Sequence, residues 1–167
     1  KLLTHNFVST NDSKVVDLVK DFPIETIIRP DAISTDTSTS EEALLHALNL
    51  IEKNFSITPD VIVFLQATSP LRLSDDIDNA INFFFENNLD SLFSSTELSD
   101  LTLWSLNRCN ELESLNFDYN NRLRRQDQNS NFIENGSIYI FKPSVILENN
   151  NRLGGKIGMF KMNFWQT

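Results

Sequence analysis

Apolar residues in this chain follow two rhythms, short unbroken runs and stripes of helical period, and the two alternate from about residue 6 to residue 96. Residues 61–65, VIVFL, form an apolar run rich in β-branched types and too short for a helix. That pattern predicts a strand buried on both faces of a parallel sheet. Residues 6–10, 25–29 and 90–96 read as further strands. Between them, Val15, Val16, Leu18 and Val19 mark a short helix over 13–20. Leu44, Leu45, Leu48, Ile51 and Phe55 form a core-facing stripe over 40–55, and Ile77, Ala80, Ile81 and Phe84 another over 75–87. Ser38 with Glu41 reads as the capping box of the second helix, and Ser74 as the N-cap of the third. Strand–helix alternation of this kind predicts an α/β fold, a mostly parallel sheet covered on both sides with right-handed crossovers.

The rhythm changes after Glu97. Residues 101–107 alternate well enough for a strand, but 110–131 are polar, rich in Asn and Arg, and without period. We read an excursion over about 98–133, of the long-loop kind that is often functional. An alternating strand resumes at 136–141, a short helix opens at Pro143, Gly154-Gly155 turns the chain, and 156–162 is a last strand. There are no internal repeats, and residues 1–167 read as one domain.

Composition narrows the function. Hydrophobic residues are 40% and charged residues 22% of the chain, ordinary for a globular protein. No apolar run reaches the ~20 residues that span a bilayer. The single cysteine, Cys109, has no internal partner, which points to a reducing, cytoplasmic compartment. A net charge of −9 argues against a nucleic acid polymer as partner but leaves room for a small anion held by a few local cations. No dinucleotide, Walker, nucleophile-elbow or zinc pattern occurs. His5 and His46 are isolated, and a satisfied or solvated histidine explains each.

The candidate chemistry sits at strand ends. QATSPLR, residues 66–72, follows the 61–65 run and would lie at the carboxyl end of its strand, where open α/β sheets bind ligands. An ordinary wet strand-to-helix loop accounts for those residues equally well. Arg29 ends another strand, Arg72 closes this loop, and Arg122, Arg124 and Arg125 cluster in the excursion. A guanidinium fork suits phosphate and carboxylate, although a solvated basic run also explains the last three.

LQATSPLR followed by a helix and DSLFSS resembles the signature of the N-acylneuraminate cytidylyltransferases, the CMP-sialic acid synthetases. VST at 8–10, RPDAISTDTSTS at 29–40, RRQD at 124–127 and ENGSIYIFKP at 134–143 match the same family in the same order. The resemblance implies a three-layer fold like that of the nucleotide-diphospho-sugar transferases, with a mixed, mostly parallel sheet truncated at both ends. It implies transfer of a cytidylyl group from CTP to a sialic-type nonulosonic acid, with Mg²⁺ and a homodimer. Position by position, Arg29 and Ser40 would contact the nucleotide. Gln66 would bind the sugar, Arg125 would be the catalytic cation on the sugar or phosphate side, and Asn135 and Tyr139 would line the sugar pocket.

The chain also departs from the family's pattern. The glycine- and lysine-containing phosphate loop and the metal-binding acidic pair are absent, so no metal ligand is assigned and residues 1–167 alone are expected to be inactive. Asn11 stands where the family usually has an aspartate, and Ile133 where some members have an arginine. Two rivals stay open: the same chemistry on legionaminic, pseudaminic or a related acid, and a catalytically silent sugar-binding or assembly module.

Overall fold

Parallel pairing begins early in the chain, in the computed structural model, which describes residues 2–98, 102–127 and 130–167. Strands β1 (Phe7–Thr10) and β2 (Glu25–Ile28) form a two-stranded parallel sheet joined through helix α1 (Ser13–Val19). Pro30 ends β2, and a 3₁₀ turn, Asp31–Ile33, leads towards helix α2 (Ser40–Phe55). The cap of α2 is one residue later than the sequence suggested. Thr39, not Ser38, accepts from the Glu42 amide while Glu42 accepts from the Thr39 amide. Ser38 is diverted to the preceding turn, where its hydroxyl accepts from the Thr35 amide at 3.0 Å.

The main sheet has the order β3 (Ile62–Leu65), β7 (Phe132–Phe141), β4 (Ser91–Glu97), β8 (Ile157–Met162). Strand β7 is antiparallel to both neighbours, and β8 is parallel to β4, so three strands run one way and the central β7 the other. On one face, helix α3 (Asp76–Glu86) buries Ala80, Ile81 and Phe84 against Leu92, Ile138, Ile140 and Met162. The expected stripe on α3 is the one buried; its cap differs. Asp75 stands at the N-cap without a side-chain bond to the helix backbone, and Asp76 instead accepts from the Leu73 amide at 2.7 Å. On the other face, Leu44, Leu45 and Leu48 of α2 and Val145 and Ile146 of helix α4 (Pro143–Asn149) cover Ile62, Phe64, Phe93, Tyr139 and Phe141. The result is helix–sheet–helix.

The excursion holds more structure than its polarity suggested. Strands β5 (Trp104–Leu106) and β6 (Leu112–Ser114) form an antiparallel hairpin. Asn107 closes its turn by accepting from the amides of Cys109 and Glu111, and Asn110 takes a left-handed conformation with φ of 63°. β5 falls within the expected strand over 101–107, while the three residues of β6, set in the polar stretch, are too few to show a two-residue period. Cys109 is exposed and free. Of the expected strand over 101–107, residue 101 lies outside the described residues. Among the described residues, no helix is long and apolar enough to cross a membrane.

Candidate active site

The loop that leaves β3 is stitched to the middle of β7. Register alone brings them together, since Leu65 pairs with Ile138 and Phe64 with Tyr139. Beyond the strand end, the Ser69 hydroxyl donates to the Asn135 carbonyl at 3.1 Å. The Arg72 guanidinium donates to the Ser137 carbonyl at 3.0 Å and to the Gln66 carbonyl at 3.4 Å. Burial lowers the pKa of Arg72, partly offset by nearby Asp76. Arg72 thus acts as a staple, with its charge spent on carbonyls rather than turned to solvent.

β7 carries a wide bulge at this point. Phe93 pairs with Tyr139 and Ser95 with Glu134, so two steps along β4 match five along β7. The slack is taken up at Gly136, whose φ is 69°. A Cβ at Gly136 would lie 2.5 Å from Oε1 of Gln66, so the Gln66 amide rests directly on bare backbone. Buried side chains replace the missing ladder bonds. The Ser94 hydroxyl accepts from the Ile138 amide at 2.7 Å and donates to Asn135 Oδ1 at 2.6 Å. Asn135 Oδ1 also accepts from the Ser137 amide, and its Nδ2 faces Met162 Sδ at 3.5 Å.

The bulge returns Glu134 to Tyr139, whose hydroxyl donates to Glu134 Oε1 in a short hydrogen bond. Tyr139 is 2% exposed, its ring stacked on Phe64 at 6.0 Å. Burial, reinforced by the Glu134 carboxylate, pushes the phenol up to about 12, so it remains a donor near neutral pH. Above the ring, the Arg152 guanidinium lies 4.4 Å from its centroid and pairs with Glu41 at 3.0 Å. Strand alternation places Ser95 beside Phe93 on this face. Ser95 is fully buried, and its hydroxyl has no hydrogen-bond partner among the described residues.

The expected site residues therefore divide into groups. Gln66, just past the end of β3, and Tyr139 on the adjoining β7 lie on either side of the bulge. Asn135 is two positions from Ser137 in the same bulge, but its side chain is satisfied on the α3 side with Ser94 and Met162. Arg29, at the end of β2, donates to the Ser34 hydroxyl at 3.0 Å, and beside it Asn11 donates to Asp31 at 3.3 Å. Ser40 is the first residue of α2, next to Glu41. Arg125 falls in the 3₁₀ turn Arg125–Asp127, and its side chain lies outside the described residues. Arg122 sits over Phe117 at 5.2 Å, and Arg124 is 3.8 Å from Asp127 on an exposed surface, a pair worth little. His5 neighbours Phe7, and His46 is half-buried, its Nδ1 without a hydrogen-bond partner among the described residues. Among the described residues no group of three or more His, Cys, Asp or Glu is placed to hold a metal ion. The described residues therefore hold no carboxylate cluster that would bind Mg²⁺ without help from substrate phosphates.

The reading from sequence passed over Glu134 and Arg152. Glu134 opens the ENGSIY motif, so its position was visible. Arg152 follows the asparagines that end α4, and its one signal was a lone arginine in a helix-to-strand loop.

The fold is that of the nucleotide-diphospho-sugar transferases. It superposes on CMP:2-keto-3-deoxy-manno-octonic acid synthetase complexed with CTP with a TM-score of 0.60, at 14% identity, over 96% of this chain and 73% of that one. A family model described as Cytidylyltransferase matches residues 1–162, and the chain belongs to that family. It is 27% identical over 164 residues to Post-translational flagellin modification protein B of Campylobacter coli, covering 98% of this chain and 70% of that protein. It is 28% identical over 160 residues to an N-acylneuraminate cytidylyltransferase of Oncorhynchus mykiss, covering 93% of this chain and 35% of that protein. The same identity holds over 146 residues with the Streptococcus agalactiae serotype III enzyme of that name, covering 84% of this chain and 33% of that protein. The chain thus spans about a third of the N-acylneuraminate cytidylyltransferases it matches.

Proposed function

We propose that the whole protein transfers a cytidylyl group from CTP to a sialic-type nonulosonic acid. The observation that carries the reading is the Gln66–Gly136 contact at the carboxyl end of β3, where the β7 bulge meets the Gln66 loop. Gln66 offers its amide to a polyhydroxylated acid there, and the buried Tyr139 lines the same side from beneath, its hydroxyl orienting the exposed Glu134 carboxylate. Asn135 supports that contact through the bulge, whereas Arg29 and Ser40 serve the nucleotide. In the reaction the anomeric hydroxyl oxygen attacks the α-phosphorus of CTP. A phosphorus–oxygen bond to the sugar forms, the bond to the β-phosphate breaks, pyrophosphate leaves, and the hydroxyl proton passes to solvent base. Such a transfer asks for positioning and charge stabilisation rather than a covalent intermediate, and Arg125 is our candidate cation.

Likeness to a flagellin modification protein keeps legionaminic, pseudaminic and related acids open as the acceptor. The reading implies Mg²⁺, a cytoplasmic site of action, and a homodimer. Support for self-association comes from the β5–β6 hairpin, which leaves Leu106, Leu112, Leu115 and Tyr119 more than half exposed. The test is pyrophosphate release by the full-length protein with CTP and Mg²⁺ across several nonulosonic acids. Turnover on at least one supports the assignment. Silence on all of them favours the binding or assembly module. Residues 1–167 alone are expected to release no pyrophosphate.

A further inference from the structure

Arg152 is a cation that neither the motif pattern nor the arginine cluster of the excursion pointed to. Its side chain is 19% exposed, and its partner Glu41 is 20% exposed. Withdrawing such a pair from water is costly, and as a bare tether between helix and loop it gains little over a hydrophobic contact. The geometry gives it a second task. The guanidinium lies 4.4 Å from the Tyr139 centroid and 5.8 Å from the Phe64 centroid, so it caps the stacked aromatic pair. A cation over an aromatic face in a partly desolvated site is attracted by the ring quadrupole. Phe64 holds the Tyr139 ring, Glu134 receives its hydroxyl, and Arg152 closes the remaining side. Glu41 in turn anchors Arg152 in the first turn of α2, one residue from Ser40.

We propose that Arg152 is a positioning residue for the sugar-acid subsite. Stacked on Tyr139 and anchored by Glu41, it holds the buried ring whose hydroxyl orients the exposed Glu134 carboxylate towards the acceptor side. The inference rests on the cytidylyltransferase reading above and adds to it a residue that need not touch substrate. It also ties the first turn of α2, on the nucleotide side, to the ring on the sugar side.

The test uses the full-length protein, with kcat and KM measured separately for CTP and for the accepted nonulosonic acid. Arg152→Gln removes the cation, and Arg152→Lys keeps it. Glu41→Gln leaves Arg152 in place without its anchor, and keeps the proposal testable should Arg152→Gln fail to fold. Arg152→Gln is expected to raise the sugar-acid KM about tenfold and leave the CTP KM within about twofold. Arg152→Lys should recover to within about threefold of wild type, and Glu41→Gln should move in the same direction by a smaller factor. In protein labelled with 3-fluorotyrosine, the Tyr139 ¹⁹F resonance should move in Arg152→Gln while that of exposed Tyr119 stays.

An unchanged sugar-acid KM in Arg152→Gln overturns the proposal. So does an equal rise in the CTP KM, or a Lys variant as impaired as Gln. If the wild-type protein turns over no sugar acid, the assignment of function fails instead. The ¹⁹F spectrum then judges Arg152 by itself, and a stationary Tyr139 resonance ends its positioning role.

Discussion

Asn135 and Gly136 are neighbours in one motif, yet they act by opposite means. Asn135 is 8% exposed and fills three hydrogen-bonding roles, towards Ser94, Ser137 and Met162. Asn135→Ala leaves the Ser137 amide and the Ser94 hydroxyl short of a partner inside the sheet. Orphaned buried polar groups cost about 1–3 kcal/mol, so we expect a loss of that order in chemical denaturation. Gly136 matters for what it lacks. Gly136→Ala forces a side chain into left-handed backbone, a strain of about 1–3 kcal/mol, and strikes the end of the Gln66 side chain. Gln66→Ala removes the obstacle but not the backbone strain. The double variant is therefore expected to be less destabilised than the sum of the singles, and strictly additive stabilities would show that Gln66 does not rest on Gly136. Asn11 shows the same economy, since its amide donates to the Asp31 carboxylate. An aspartate there would set two like charges side by side.

At the level of elements, long stripes were legible because their period is unambiguous, whereas the run 61–65, expected inside a parallel sheet, is the half-buried edge strand β3, antiparallel to β7. The faces that α2 and α3 bury carry the leucines, isoleucines and phenylalanines the sequence marked. Caps slipped by a residue because Ser38, Thr39, Ser74 and Asp75 offer several competing oxygens in a row, and only tertiary context chooses. The bulge in β7 was hidden for a different reason. Its extra residues are accommodated by Ser94 on another strand, which local sequence cannot announce. A further long-range joint lies at the opposite end of the sheet. Asp90, just before β4, accepts from Lys142 Nζ at 2.7 Å and from the Lys156 amide at 2.8 Å, tying the start of α4 to the start of β8. Gly155, with φ of 62°, makes room, because a Cβ there would lie 2.6 Å from Asp90. The Lys142 hydrogen bond, with help from the Lys156 amide, lowers the Asp90 pKa below the ordinary carboxylate value. The folded state therefore binds the Asp90 proton less readily than the unfolded chain. This contribution is present above the unfolded carboxyl pKa of about 3.9 and is lost as pH falls through the folded value. Asp90→Asn should show a shallower fall in denaturation midpoint over that acid range, and identical slopes would count against the joint.

For the molecule as a whole, the proposed self-association would use the β5–β6 hairpin. Leu106 and Leu112 are direct cross-strand partners and are 59% and 70% exposed. Exposed apolar residues scattered singly are ordinary, but a paired set on one hairpin suits a contact surface and supports the proposed homodimer. Replacing both leucines with Asp is expected to convert a dimer to a monomer in sedimentation, with far-ultraviolet dichroism unchanged; a dimer that persists places the interface elsewhere. The central place of β7 reaches beyond the folded state. β3 and β4 never bond to each other, and both await a segment made some forty residues or more after them, since Ile62 pairs with Phe141 and Ser91 with the same residue. During synthesis these two earlier strands emerge with orphan edges and nothing to zip against. Chains stopped short of residue 132 should accumulate as insoluble material, while chains that include β7 and β8 stay in solution. Manufacture of this protein is thus a race between the ribosome delivering one late strand and the stickiness of two early ones.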